Sequence, residues 1–261
     1  MQLMACVIMW GAAATAAVSG DAAPAAGASA ARVDEILTAL QKRSDGLHDI
    51  RCKVVFIEKD QVNLTERKKF GEILFLITEP SPHFLIHFEQ SEMDGMAGLQ
   101  EWYLFDGRWL HQAVERLRQV TKQEIARPGE KIDLFDLERA PFPPPFGQKK
   151  EQILSNFDVT LVPPGPGDPA GTDHLVCVPK PDSRLHGVYD KLEFFVRQDV
   201  HLPGRVVVTR NDGLETNWAD FPDLSARSIN AGVTEKDFAP PKAWRDYEVV
   251  VEPLPPPEAA P

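Results

Sequence analysis

The chain has 261 residues, 43% of them apolar, with 28 basic and 39 acidic side chains and a net charge of −11. That length suits one domain, or two small ones, and buries enough surface to fold without a disulfide framework or structural metal. The acidic balance excludes nucleic acid as a partner class, because phosphate binding needs a basic footprint, and it disfavours docking on an anionic membrane by charge alone.

Leu3 to Ser19 is an uncharged apolar run, followed by the small-residue stretch Gly20 to Ala31. An apolar core with a small-residue exit is the pattern of a secretory leader, so residues 1–30 are expected to be a signal peptide that exports the chain from the cytoplasm. Candidate cleavage positions follow Gly20 and Ala30. The alternative is a retained anchor, since the run lies at the lower length limit for crossing a bilayer. Leu3-Met4-Ala5-Cys6 resembles a lipidation box, but Cys6 opens the apolar run instead of following it.

Val33, Ile36, Leu37 and Leu40 recur at i, i+3, i+4 and i+7, which predicts an amphipathic helix over 33–46 that Gly46 ends. Strand text follows at Ile50 to Asp60, Arg67 to Thr78, His83 to Gln90, Leu99 to Phe105, Trp109 to Val114 and Leu117 to Ile125. Asp106-Gly107 is a hairpin signal, because both positions of the turn tolerate positive φ. Arg116, Arg118 and Lys122 read as a solvated basic stripe on the sixth strand. The text from Pro128 to Phe157 breaks the pattern, with short helices expected at Ile132 to Arg139 and Gln148 to Leu154 around the prolines at 141–145. Strands resume at Val159 to Pro163, His174 to Pro179, Leu192 to Arg197, Gly204 to Arg210 and Leu214 to Phe221. Thr234 to Tyr247 is a closing segment, and residues 252–261 read as a Pro-rich disordered tail.

The expected fold class is therefore mainly β with helices (α+β): about eleven antiparallel strands in a meander large enough to curl into a barrel or half-barrel, with a leading helix and a helical insertion. One domain is expected over 31–251. Cys52 and Cys177 both sit in apolar strand text, which suggests two separate buried thiols; a single bridge is the alternative.

The chain has no GxSxG, Walker A, GxGxxG or HExxH motif, so neither an enzyme nor a cofactor site is expected. His83 and His87 lie four apart on a strand, roughly 13 Å at ~3.3 Å per residue, too far to share a metal ion; both are expected on the solvent face.

The order and spacing of several segments carry a resemblance. Phe70 to Phe88 (FGEILFLITEPSPHFLIHF), Trp102 to Thr121, Leu192 to Phe221 and Gly232 to Pro241 follow one another as in the periplasmic outer-membrane lipoprotein carrier family of the LolA/LolB type. The likeness runs from about Val33 to Val250. It implies an unclosed eleven-strand barrel plugged by helices, and a monomeric periplasmic protein that carries lipoprotein acyl chains or other lipids. It further implies an inner-membrane export complex as donor and an outer-membrane acceptor. Glu79 stands where the family has a basic residue before the proline of that loop. The same scaffold also serves periplasmic sensor or protein-interaction modules.

Candidate cavity-lining residues are those on the cleaner apolar alternation: Phe56, Ile73, Phe75, Phe84, Ile86, Phe88, Trp102, Leu104, Phe194 and Trp218. Filling a dry core is the alternative role for each of them. For the set, a cavity is favoured, since a half-barrel this wide is hard to fill with side chains alone.

Overall fold

The computed structural model describes residues 26–79, 81–93, 96–98, 100–130, 146–147, 149–210 and 213–255. The candidate leader up to residue 25 and the expected helix at 132–139 lie outside them.

Period-two alternation dominates and yields thirteen strands among the described residues: β1 (Asp49–Asp60), β2 (Thr65–Leu76), β3 (His83–Met93), β4 (Met96–Gly98), β5 (Glu101–Phe105), β6 (Trp109–Val114), β7 (Gln119–Glu124), β8 (Phe157–Val162), β9 (Thr172–Pro179), β10 (Lys191–Arg197), β11 (Pro203–Arg210), β12 (Glu215–Asp220) and β13 (Glu248–Glu252). They form one sheet in the order β13-β7-β6-β5-β3-β2-β1-β12-β11-β10-β9-β8, with β4 paired to β3 beside this path. The chain starts at the centre with β1, works outward to β7, reappears at the far edge as β8 and returns to pair β12 with β1. β13 and β8 are the two ends of the path, so the half-barrel is unclosed.

Two strands exceed the sequence expectation. β4 is a three-residue hairpin arm too short to carry a pattern. β13 joins β7 in a parallel pair, whereas the other paired strands among the described residues run antiparallel. Its text, Glu-Val-Val-Val-Glu, is apolar without alternation, so periodicity alone does not separate strand from closing coil. The expected tail begins within this strand: Glu252 closes β13, and Leu254 N–H and the Pro255 carbonyl are held by Glu124 and Arg127.

Helix α1 (Ala26–Asp45) starts about two turns before the apolar period does, because the alanines preceding it are strong helix formers. The candidate cleavage position after Ala30 therefore falls inside it. Val33, Ile36, Leu37 and Leu40 are all buried against β8 to β11. Helix α2 (Lys150–Asn156) lies beside α1, joined by Lys150 Nζ to Asp34 (2.5 Å) and to Thr38 Oγ1 (2.9 Å).

Both faces of the sheet are covered. On the concave face, Ile50, Cys52, Val54, Ile73, Phe75, Phe84, Phe88 and Phe105 pack with Phe146, Leu202 and Phe221, and a second cluster gathers under α1. On the convex face, Leu74, Trp102, Leu104, Ala113 and Val120 pack against Val233, Phe238 and Trp244 of the closing segment. That segment forms 3-10 turns at Glu235–Phe238 and Lys242–Asp246. It is pinned where Asn230 Oδ1 accepts His48 N–H (2.8 Å) and its amide donates to the Gly46 carbonyl (3.0 Å).

This cover corrects two sequence expectations. His83 and His87 do not face solvent: His83 lies against Phe238 (ring centroids 5.5 Å) and His87 stacks on Trp102 (4.9 Å). Arg116 and Arg118 do not lie on a strand either, because a 3-10 turn at Glu115–Leu117, ended by Arg118 at φ +49°, delays the sixth strand to Gln119. Cys52 and Cys177 are free, buried in different clusters.

The expected hairpin forms one residue on, with Gly107-Arg108 at its centre and Gly107, not Asp106, at positive φ. Gly107 has φ +91°, and Asp106 Oδ1 accepts Arg108 N–H (3.1 Å) and Trp109 N–H (2.8 Å).

The β2–β3 ladder contains a bulge at Phe70/Gly71: Gly71 opposes Phe88, while Phe70 opposes Gln90. Glu89 is skipped, so the concave parity of β3 passes from Phe84, Ile86 and Phe88 to Ser91. An ideal Cβ on Gly71 would sit 1.9 Å from the His87 carbonyl oxygen. Backbone meets backbone there, so no side-chain rotation relieves it. Gly71→Ala should therefore cost about 3 kcal/mol or more of folding stability, read as a lowered urea midpoint, whereas Gly46→Ala, whose Cβ would meet nothing nearer than 3.8 Å and whose φ is not positive, should stay within about 1 kcal/mol.

Candidate functional site

Register places the site. Across the concave face the cross-strand rows run Cys52–Ile73–Ile86–Tyr103, then Val54–Gly71–Phe88–Glu101, then Phe56–Lys69–Ser91. On the other side of β1, Phe56 opposes Ala219, which opposes Val206, and Glu58 opposes Asn217, which opposes Val208. These rows enclose a cavity of about 340 Å³. Its walls are mostly apolar, from Val54, Phe56, Ile73, Ile86, Phe88, Tyr103, Val206, Val208, Ala219 and Phe221. Polar groups enter towards the β1–β2 and β11–β12 turns, at Glu58, Lys69, Arg210 and Asn217.

Lys69 is the unusual member, with a side chain only 5% exposed. Its Nζ bonds Glu101 Oε2 at 3.0 Å and lies 3.3 Å from Glu58 Oε2. It also sits 5.5 Å from the Phe88 ring centroid and 5.9 Å from that of Phe56. Glu101 Oε2 takes a second hydrogen bond from Tyr103 Oη (3.3 Å). Burial alone would depress the Lys69 pKa; the negative charges that Tyr103, Glu58 and Glu101 can carry outweigh it and hold the ammonium above the ordinary lysine value. Burial and the adjacent Glu101 raise the Tyr103 phenol in turn. A buried charge is tolerable only when its partners are this close.

The ten candidate residues separate into four groups. Phe56, Ile73, Ile86 and Phe88 border the cavity. Trp218 borders it too, yet its strand position pairs it with Ile57 and Val207, and Lys59 Nζ sits 5.0 Å over its ring, so the side chain belongs to the convex side. Phe75 and Phe84 share the concave face but are packed solid with Phe105, and Phe194 is covered by α1. Trp102 and Leu104 are corrected: both lie on the convex face, beneath Trp244 and Phe238.

The last error is one of parity. On β5, Trp102 and Leu104 alternate with Glu101, Tyr103 and Phe105, and register sets the second row against Phe84, Ile86 and Phe88. A one-residue difference exchanges faces completely. The sequence reading missed Tyr103, Lys69 and Arg210 because two are charged and one shares a row with Glu101. The available signal was the repeat of opposite charges, Glu58, Lys69 and Glu101, in strands otherwise rich in aromatics.

Fold and site together define a curved sheet with a mostly apolar hollow on its inner face. No family model matches the sequence, and no curated protein does. Among solved structures, the chain is similar to a putative outer membrane lipoprotein-sorting protein domain from Vibrio parahaemolyticus (14% identity, 78% of this chain and 94% of that one, TM-score 0.36). It is similar to a LolA superfamily protein from Nitrosomonas europaea (13% identity, 79% and 97%, TM-score 0.35). It is also similar to the MucA/MucB complex structure from Pseudomonas aeruginosa (16% identity, 86% and 67%, TM-score 0.43).

Lys69→Met strands Glu101 and Glu58 beside an apolar wall. It should lower stability by about 2–3 kcal/mol, less than the roughly 3–5 kcal/mol of a fully buried pair because Glu58 stays partly solvated. Adding Glu101→Gln should recover part of that loss in urea unfolding. Because the folded-state pKa of Lys69 is raised, its stabilising contribution is complete below pH ~10.5 and fades as pH rises through the higher folded value. The Met variant should lose this alkaline sensitivity.

Proposed function

We propose that the protein is an exported, periplasmic carrier that binds the acyl chains of lipoproteins or other lipids in the concave cavity of its half-barrel. The carrying observation is the apolar wall formed by Val54, Phe56, Ile73, Ile86, Phe88, Val206 and Phe221 around an open volume. In a fully packed interior these side chains would touch one another across it.

The energetics suit a carrier. A buried methylene is worth about 0.8 kcal/mol, so roughly ten of them gain about 8 kcal/mol. Association costs at least about 4 kcal/mol, which leaves about 4 kcal/mol at most, millimolar affinity for a simple chain of that length. Cargo held this way leaves as readily as it enters, with no bond made or broken. On this reading an inner-membrane export complex would load the cavity and an outer-membrane acceptor would empty it.

A second reading, a sensor or protein-interaction module, draws on a different place. β13 is an edge strand, and its Val249 and Val251 are more than half exposed. Such an edge can take an added strand from a partner.

Titration of delipidated protein with a fluorescent fatty acyl probe should give saturable uptake. Ile86→Trp fills the hollow without adding charge and should weaken uptake at least about ten-fold with an unchanged circular-dichroism spectrum. Trp102→Phe, on the opposite face, should leave uptake within about two-fold. Absence of saturable uptake by the parent protein would end the carrier reading and favour the module.

A further inference from the structure

Along the concave face the cavity changes character. At the Ile73–Ile86 end its walls are aliphatic and aromatic; two to four residues further along each strand, towards the turns, stand Glu58, Lys69, Asn217 and Arg210. A hollow with an oily floor and a polar lip fits a molecule with the same asymmetry.

The charges at that lip are not equivalent. Lys69 is already neutralised, lying between Glu58 and Glu101. Arg210 is not. Its Nε is buried without a hydrogen-bond partner, and its guanidinium stacks over the Tyr189 ring, 4.8 Å from the centroid. Glu215 opposes it across the β11–β12 ladder, yet among the described residues Arg210 forms no ion pair. A guanidinium carries five donors in a planar fork suited to carboxylate or phosphate, and a buried N–H left without an acceptor is costly. In a chain of net charge −11, an uncommitted cation facing an apolar cavity points to a ligand. Asn217, two residues beyond Glu215 on β12, adds an amide donor to the same lip.

Size narrows the choice. A volume of about 340 Å³ lies near the lower end of the roughly 300–1,000 Å³ of small-ligand cavities, which suits one hydrocarbon tail more than several. We propose that the cavity selects a single-chain amphiphile with an anionic head, carboxylate or phosphate, its tail against Ile73 and Ile86 and its head on Arg210. This rests on the carrier reading and narrows its cargo.

The test is calorimetric titration of the delipidated full chain with decanoate, decyl phosphate, decanol and decyltrimethylammonium, each below its micelle threshold and at constant salt. The two anions should bind at least about ten-fold tighter than the alcohol and the cation, as expected for a charge-assisted hydrogen bond. The better of the two anions identifies the head as carboxylate or phosphate. Arg210→Gln should erase the preference while decanol binding stays within about two-fold, and Arg210→Lys should keep part of it. Equal binding of all four heads, or a preference that survives Arg210→Gln, overturns the inference and leaves the carrier standing. Binding of none overturns both.

Discussion

Alternation obliges each long strand of this sheet to present two rows of side chains, and in the central strands β2 and β5 both rows carry large apolar side chains. A sheet built this way cannot leave either face in water. The chain supplies separate covers: α1, α2 and Phe146 on the concave side, and the closing segment with Phe238 and Trp244 on the convex side. The cavity lies where the concave cover does not reach, between the cluster under α1 and the one around Phe105. It follows from an incomplete cover, not from a separate binding module.

Lys69 decides how wet that gap is. Its ammonium lies deep among Phe56, Phe88 and Tyr103, where Glu58 from the adjacent β1 and Glu101 from β5, beyond β3, converge on it. The bulge at Gly71 sets what stands beside it: by skipping Glu89 it brings Ser91 instead of Gln90 opposite Lys69.

The residues explain which parts of the fold were legible beforehand. Eleven strands and the core face of α1 follow from periodicity alone, and the β5–β6 hairpin from the glycine at 107. The cover was less legible. Thr234 to Tyr247 forms only 3-10 turns, has no period, and reveals its purpose only through contacts with residues more than a hundred positions earlier. The site was half legible for a related reason. Period two tells which side chains share a row but not which row faces inward; only register against β3 assigns Tyr103 to the cavity and Trp102 to the other side. Arg210 was invisible because its value lies in what it does not touch.

The two thiols bear on what holds this fold. Cys52 and Cys177 sit in separate clusters, and burial drives both away from the thiolate form, Cys177 up to about 12 and Cys52 further still. Since only the thiolate attacks disulfides or peroxides, both are chemically silent once folded. The described fold is therefore held by packing and hydrogen bonds, with no cross-link between these two thiols.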